Sequence, residues 1–165
     1  MAHLLIDGYN LIGVLHKDLE VARNDILRKL SEYSKTKGHH ITIVFDGWKD
    51  GKPEEMITWI GGIRVIYSRL GEKADAVIMR IISEERKPWI VVSSDKEIAN
   101  FTIRHNLIPI RADEFEERLY RALLQEPASN AEYYDEWEGD AHQRKGTSKR
   151  LSKFKRRKLQ ALSKL

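Results

Sequence analysis

Leu4-Leu5-Ile6-Asp7-Gly8-Tyr9-Asn10, close to the start of the chain, decides how the rest is read. A short apolar run that stops on Asp-Gly is the pattern of a buried strand ending at a turn. The pattern recurs in Ile41-Thr42-Ile43-Val44-Phe45-Asp46-Gly47, and again in Trp89-Ile90-Val91-Val92-Ser93-Ser94-Asp95. These runs are apolar throughout instead of alternating, so they belong to a sheet covered on both faces. Ile63 to Tyr67 and Leu107-Ile108-Pro109-Ile110 add two further strands, five in all.

The segments between the strands carry helical spacing. Asp18 is placed to cap a helix whose apolar positions Leu19, Ala22, Ile26, Leu27, Leu30 and Tyr33 recur every three or four residues, and Gly38 closes it. Lys73 to Ser83 puts Ala74, Val77, Ile78, Ile81 and Ile82 on one face. A short helix is expected over about 96–105. Asp113 opens a last one with Phe115, Leu119, Ala122 and Leu123 inward. Residues 48–62, with Gly, Pro and two Trp, read as a loop or a short helical excursion. Strands alternating with helices predict an α/β fold with a mainly parallel five-stranded sheet between two helical layers. The expected organisation is a domain over 1–127, a polar linker over 128–148 and a basic tail over 149–165, helical on its amphipathic spacing.

In an open parallel sheet, ligands gather beyond the carboxyl ends of the strands. Asp7, Asp46 and Asp95 each follow a strand, and Asp75 opens the helix after Gly71-Glu72-Lys73-Ala74. Singly, each reads as a turn residue or a helix-start acid. Together they form a carboxylate cluster on one rim, whose mutual repulsion calls for cations. Hard oxygen donors suit Mg²⁺ or Mn²⁺, and like-charge neighbours should raise the pKa of at least one acid without metal. Asn10 can bond a carboxylate or a phosphate through its amide.

These residues fall in motifs. Asp7-Gly8-Tyr9-Asn10-Leu11-Ile12, Val21-Ala22-Arg23, Val44-Phe45-Asp46-Gly47, Gly71-Glu72-Lys73-Ala74-Asp75 and Val91-Val92-Ser93-Ser94-Asp95 follow in an order that resembles the NYN domain, a branch of the PIN-like ribonucleases, and within it the YacP-like bacterial group. The resemblance implies a Rossmann-like α/β/α sandwich, a divalent metal site and endonucleolytic cleavage of single-stranded RNA, with mRNA on the ribosome as the setting. It implies Asp7, Asp46, Asp75 and Asp95 as metal ligands and catalytic acids, with Asn10 as their polar companion. Two departures stand out. A more polar residue is expected in place of Lys73 or Ala76, and Asp46 is followed by Gly47, not alanine.

The charge is divided unevenly. Residues 1–140 carry 19 Lys+Arg against 25 Asp+Glu, whereas 141–165 carry 10 Lys+Arg and no acid. A strongly basic end points to a polyanionic partner. Lys149, Arg150, Lys153, Lys155, Arg156, Arg157 and Lys158, interleaved with Leu151, Phe154, Leu159, Leu162 and Leu165, are the candidate RNA contacts. Trp48 and Trp59 could stack on unpaired bases or pack over the sheet edge. Glu72 is a candidate fifth ligand, although a solvated acid fits it better, and Ser93 and Ser94 could bond a phosphate or orient Asp95.

Several classes fall away. The 165 residues hold no cysteine, which removes disulfide scaffolds, cysteine nucleophiles and Cys-ligated zinc. The six histidines show no ligand spacing, and the pair at 39–40 reads as exposed loop. The N-terminal apolar run is too short for a signal peptide and no stretch could span a membrane, so a soluble cytoplasmic protein without membrane partner is expected. A haloacid-dehalogenase-type phosphatase would want an acid where Tyr9 stands, and a phospho-acceptor domain a lysine where Arg111 stands. The surviving alternative to a metal-dependent endoribonuclease is a non-catalytic RNA-binding or ribosome-associated module on the same fold.

Overall fold

The computed structural model describes residues 1–13, 18–47, 53–124 and 152–165. The chain begins in the middle of its sheet. β1 (His3–Asp7) pairs in parallel with β2 (His40–Phe45) on one side and with β5 (Trp89–Val92) on the other. Ile6 sits opposite both Ile43 and Val92. β4 (Ile63–Tyr67) lies beyond β2 and β6 (Ile108–Ile110) beyond β5, both parallel, and β3 (Met56–Ile60) is antiparallel at the far edge. In the spatial order β3-β4-β2-β1-β5-β6, successive strands are added to one side of β1 up to β4 and to the other side from β5 on. In open α/β sheets such a switch point, at the carboxyl ends of the strands, is where ligands bind.

The sheet has six strands, one more than the sequence reading, which placed residues 48–62 in a loop or helical excursion. Of that segment, Met56–Ile60 is β3, and it turns into β4 through Gly61 and Gly62, with φ of 58° and 89°. Two consecutive residues with positive φ make the tight turn that matches strand twist, and glycine adopts it without strain. The signal was present as β-branched residues flanking a two-residue Gly-Gly. Trp59 is 69% exposed on β3, opposite Arg64. Trp48 lies outside the described residues.

Apolar alternation in the central strands divides the core in two. Leu4, Ile6, Ile43 and Val65 face the layer formed by α1 (Gly8–Ile12), α2 (Leu19–Lys37), α5 (Ala112–Leu124) and α6 (Lys153–Leu162). Leu5, Val44, Ile66 and Val91 face α3 (Ala74–Glu84) and α4 (Lys96–Arg104). The three-layer α/β/α arrangement is therefore as expected. α2 starts where Asp18 accepts the Glu20 and Val21 N–H groups at 3.0 and 3.2 Å, and ends on Gly38 in the left-handed region. Ile26, Leu27, Leu30 and Tyr33 are buried, but Leu19, read as inward, is 45% exposed in the first turn.

The basic C-terminal segment is partly core. Ala161, Leu162 and Leu165 are buried with Tyr33 and Phe115, and Phe154 packs against them. Lys158, expected on the RNA-facing surface, is 4% exposed, with its ammonium 3.5 Å from Glu114. Helical spacing explains the correction: Lys158 shares a face with Leu162 and Leu165. His39, expected in exposed loop, is also buried. Its Nδ1 accepts the Ala2 N–H at 3.3 Å and its Nε2 donates to the Lys164 carbonyl at 2.9 Å, while the Tyr33 hydroxyl donates to the Leu165 carbonyl at 2.9 Å. Lys149, Arg150, Leu151 and the 128–148 linker lie outside the described residues. No described helix is long and apolar enough to cross a membrane.

Candidate active site

Three of the four aspartates act as helix caps. Asp7, at the end of β1, accepts the Asn10 N–H at 3.2 Å and so starts α1. Asp95 accepts the Glu97 and Ile98 N–H groups at 2.6 and 3.1 Å and starts α4. Asp46 reaches across from the end of β2 to accept the Ala74 N–H, supplying α3 with the cap that Lys73, at its N-cap position, lacks. The turn and cap readings of these residues are thus true without excluding the functional one. Each cap puts a carboxylate against the positive end of a helix at the same edge of the sheet.

Asp75 joins them from the first turn of α3 and accepts no hydrogen bond among the described residues. Its carboxyl is pushed up first by desolvation and then by the charges of Asp95 and Asp46, with Glu97 adding to them and Lys73 opposing. Asp7, 3% exposed, is also pushed up, chiefly by burial. The Asn10 hydrogen bonds oppose that rise, and the negative charge of Asp75 adds to it. Asp75 therefore interacts electrostatically with all three other aspartates. Raised carboxyls in the absence of metal were expected, but burial leads over like-charge repulsion as their cause.

A hydrogen-bonded network fixes the middle of the cluster. The Asn10 side-chain amide donates to Asp7 Oδ2 at 2.7 Å, and its Oδ1 accepts the Ser94 N–H at 3.2 Å. Ser93, 2% exposed, donates from Oγ to Asp7 Oδ2 at 3.2 Å and accepts the Asp95 N–H at 3.1 Å. Ser94 Oγ accepts the Ala112 N–H at the start of α5 at 3.2 Å. Ser93 thus bridges two of the acids, a role its position between strand and cap suggested only in part. Glu72 is drawn away by Arg69 and Arg80, at 3.4 and 3.5 Å, and serves as an ion-pair acid. Glu97, two residues beyond Asp95, was missed; its first-turn position was the available signal.

The donor set is made of hard carboxylate oxygens, as Mg²⁺ or Mn²⁺ requires. Asp46 and Asp95 each use Oδ1 for capping, leaving Oδ2, and Asp75 has both oxygens available. The residues therefore fit such an ion in kind. Among the described residues, no three His, Cys, Asp or Glu side chains form a ready-made metal cage. The basic residues of α6 do not complete this edge at its C-terminal end: the Lys164 and Leu165 carbonyls meet His39 and Tyr33 at the opposite edge, where β1 and β2 begin.

The YacP-like NYN domain family matches residues 4–164, nearly the whole chain. The chain belongs to that family. An uncharacterized protein YacP of Bacillus subtilis (strain 168) is 34% identical over 85 residues, which is 47% of this chain and 49% of that relative's length. A crystal structure of Rae1 (YacP) from Bacillus subtilis superposes with a TM-score of 0.59 at 25% identity, covering 76% of this chain and 77% of the other. A point mutant of the same protein gives a TM-score of 0.60 at 22% identity, covering 76% and 79%. This NYN domain accordingly has the PIN-like nuclease fold, and its family is nuclease-like.

Proposed function

We propose that this NYN domain is an endoribonuclease that hydrolyses phosphodiester bonds of single-stranded RNA with Mg²⁺ or Mn²⁺, acting in the cytoplasm on mRNA associated with the ribosome. The observation that carries the reading is the convergence of Asp7, Asp46 and Asp95 at the β1/β5 switch point with Asp75 electrostatically coupled to all three. Asp7, Asp46, Asp75 and Asp95 hold the ion, and Asn10 with Ser93 fixes the Asp7 carboxylate in orientation. A bound divalent ion supplies a more acidic water and a counter-charge for the phosphate. The chain itself aims three of the acids, Asp7, Asp46 and Asp95, using helix N-termini and hydrogen bonds. Lys153, Lys155, Arg156 and Arg157 on α6, with Lys149 and Arg150 before it, contribute sequence-independent attraction for the RNA backbone.

The test is cleavage of end-labelled single-stranded RNA in Mn²⁺, in EDTA, and by Asp75→Asn in Mn²⁺. Cleavage requiring metal and lost in the variant is the expected result. A wild-type protein that binds RNA without cutting it, and without a saturable Mn²⁺ site, would favour a non-catalytic RNA-binding module. Repeating the assay on ribosome-bound mRNA separates that outcome from an enzyme that needs the ribosome.

A further inference from the structure

Among the described residues, Arg23 is a cation without an anion. Its guanidinium carbon lies 5.6 Å from the centre of the Phe45 ring and 5.5 Å from that of Tyr67, and Nη2 donates to the Tyr9 hydroxyl at 3.2 Å. Phe45 and Tyr67 stack at 5.7 Å, and Tyr9 stands edge-on to Phe45 at 5.6 Å. The frame depends on Gly8, because a Cβ there would come within 2.3 Å of the Phe45 ring. No carboxylate pairs with Arg23 among the described residues, and its Nε is buried without a partner.

That isolation is informative because of what lies alongside. Tyr9 is two residues past Asp7, and Phe45 directly precedes Asp46. A guanidinium kept only for packing would gain from one of those carboxylates, since a half-buried charge or an orphaned N–H is costly. The rings instead hold it on the α2 face of the sheet, against residues that adjoin Asp7 and Asp46 in sequence. The Nη groups of a guanidinium carry further N–H donors in a planar fork that matches phosphate oxygens, a geometry a lysine lacks. α2, which carries Arg23, and α3, which carries Asp75, cover opposite faces of the sheet. A strand crossing the carboxyl ends of β1 and β2 would therefore pass between the two.

We propose that Arg23, framed by Tyr9, Phe45 and Tyr67, is a binding site for an RNA phosphate adjoining the one at the acidic edge; the inference rests on the nuclease reading above. The site sets the path of the substrate across the sheet edge, toward the α2 face.

The experiment measures binding of a fluorescent single-stranded RNA oligonucleotide to Asp75→Asn protein in Mn²⁺ over a series of salt concentrations, with Arg23→Gln or Arg23→Lys added. Losing one phosphate contact should flatten the slope of log affinity against log salt by about 0.7 in Arg23→Gln. Arg23→Lys should keep the parent slope and bind more weakly at every salt. A loosened fold would lower affinity without altering the slope, and a thermal melt of each variant identifies it. If Arg23→Gln does not fold, Arg23→Lys decides: an unchanged affinity overturns the site, and weaker binding at parent slope with an unchanged melting temperature supports it. Unchanged slope and affinity in a folded Arg23→Gln overturn the inference while leaving the nuclease reading intact. No RNA binding by the Asp75→Asn parent overturns the inference, and cleavage by the wild type then decides the nuclease reading separately.

Discussion

Ser93→Ala removes one oxygen and disturbs two aspartates. Ser93 Oγ donates to the buried Asp7 carboxylate at 3.2 Å and accepts the Asp95 N–H at 3.1 Å. Alanine fits the space, so the loss is one of hydrogen bonding and not of packing. A bond to an ionised partner contributes about 1.5–3 kcal/mol, and the 3.2 Å separation places this one toward the lower end. Asp7 keeps its two bonds from Asn10, whereas the partly buried Asp95 N–H is left without Ser93 and costs roughly 1 kcal/mol. The expected destabilisation is about 2–3 kcal/mol at neutral pH, read from urea denaturation of wild type and variant with equal slopes. The pH dependence tests the cause. The Ser93 bond favours ionised Asp7, so its removal raises further a pKa that burial already raises. The penalty therefore shrinks as acidification protonates Asp7 in both proteins. A penalty that grows on acidification, or one below about 0.5 kcal/mol at neutral pH, would refute this account of the network.

Asp75→Asn should abolish cleavage yet raise stability at neutral pH. Its folded pKa is raised, so the fold is favoured while Asp75 is protonated, and that contribution is lost as pH rises from 3.8 through the folded value. Paired denaturation curves at neutral pH and about pH 4 check this: the gain should be present at the first and fade at the second. His39 has the opposite pattern. Burial holds its pKa below 6.5, with the N-terminus and Lys37 adding to the effect and the Lys164 carbonyl opposing it. Its contribution is whole above 6.5 and lost as pH falls through the lowered folded value, because a second ring proton would face the Ala2 N–H. His39→Gln should flatten the stability profile between pH 7 and about 5. Leu162→Ala should cost about 2–4 kcal/mol and speed hydrogen exchange in α6 before the sheet, since Leu162 anchors that helix to the core. A variant within about 0.5 kcal/mol of wild type would show that α6 is held mainly by polar contacts.

The legible and illegible parts of the chain differ physically. β1, β2 and β5 are buried on both faces, so their sequences are apolar runs that need no tertiary knowledge to find. β3 is an edge strand, exposed along most of its length, and hydropathy marks it weakly. His39 and Lys158 were misplaced for another reason. A polar residue is buried when partners arrive from afar, and theirs come from Lys164, Ala2 and Glu114. Sequence spacing holds no record of such partners. At the candidate site, sequence brought the aspartates to one edge through topology alone, and the coupling through Asp75 agrees with that placement. Ser93 was legible as a residue that could orient Asp95, whereas its bond to Asp7 and the place of Glu97 in the first turn of α4 became visible only in the fold.

How a fold tolerates four carboxylates at one edge follows from the same bonds. Three of them face helix N-termini, where unpaired N–H groups and the helix dipole favour negative charge. Asp46 serves α3 from a neighbouring strand, so its orientation is tied to the position of Ala74, and Asp75 is the next residue. The spacing between Asp46 and Asp75 is thus set by a cap and not by a flexible loop. Asp75 alone has no such partner, and its carboxyl is pushed up by the charges of the others as well as by burial. Its ionisation gains from an arriving cation. A divalent ion should therefore stabilise wild type more than Asp75→Asn, and Mn²⁺-induced shifts in melting temperature measure the difference. Equal shifts in the two proteins would show that the ion, if held at all, is held without Asp75.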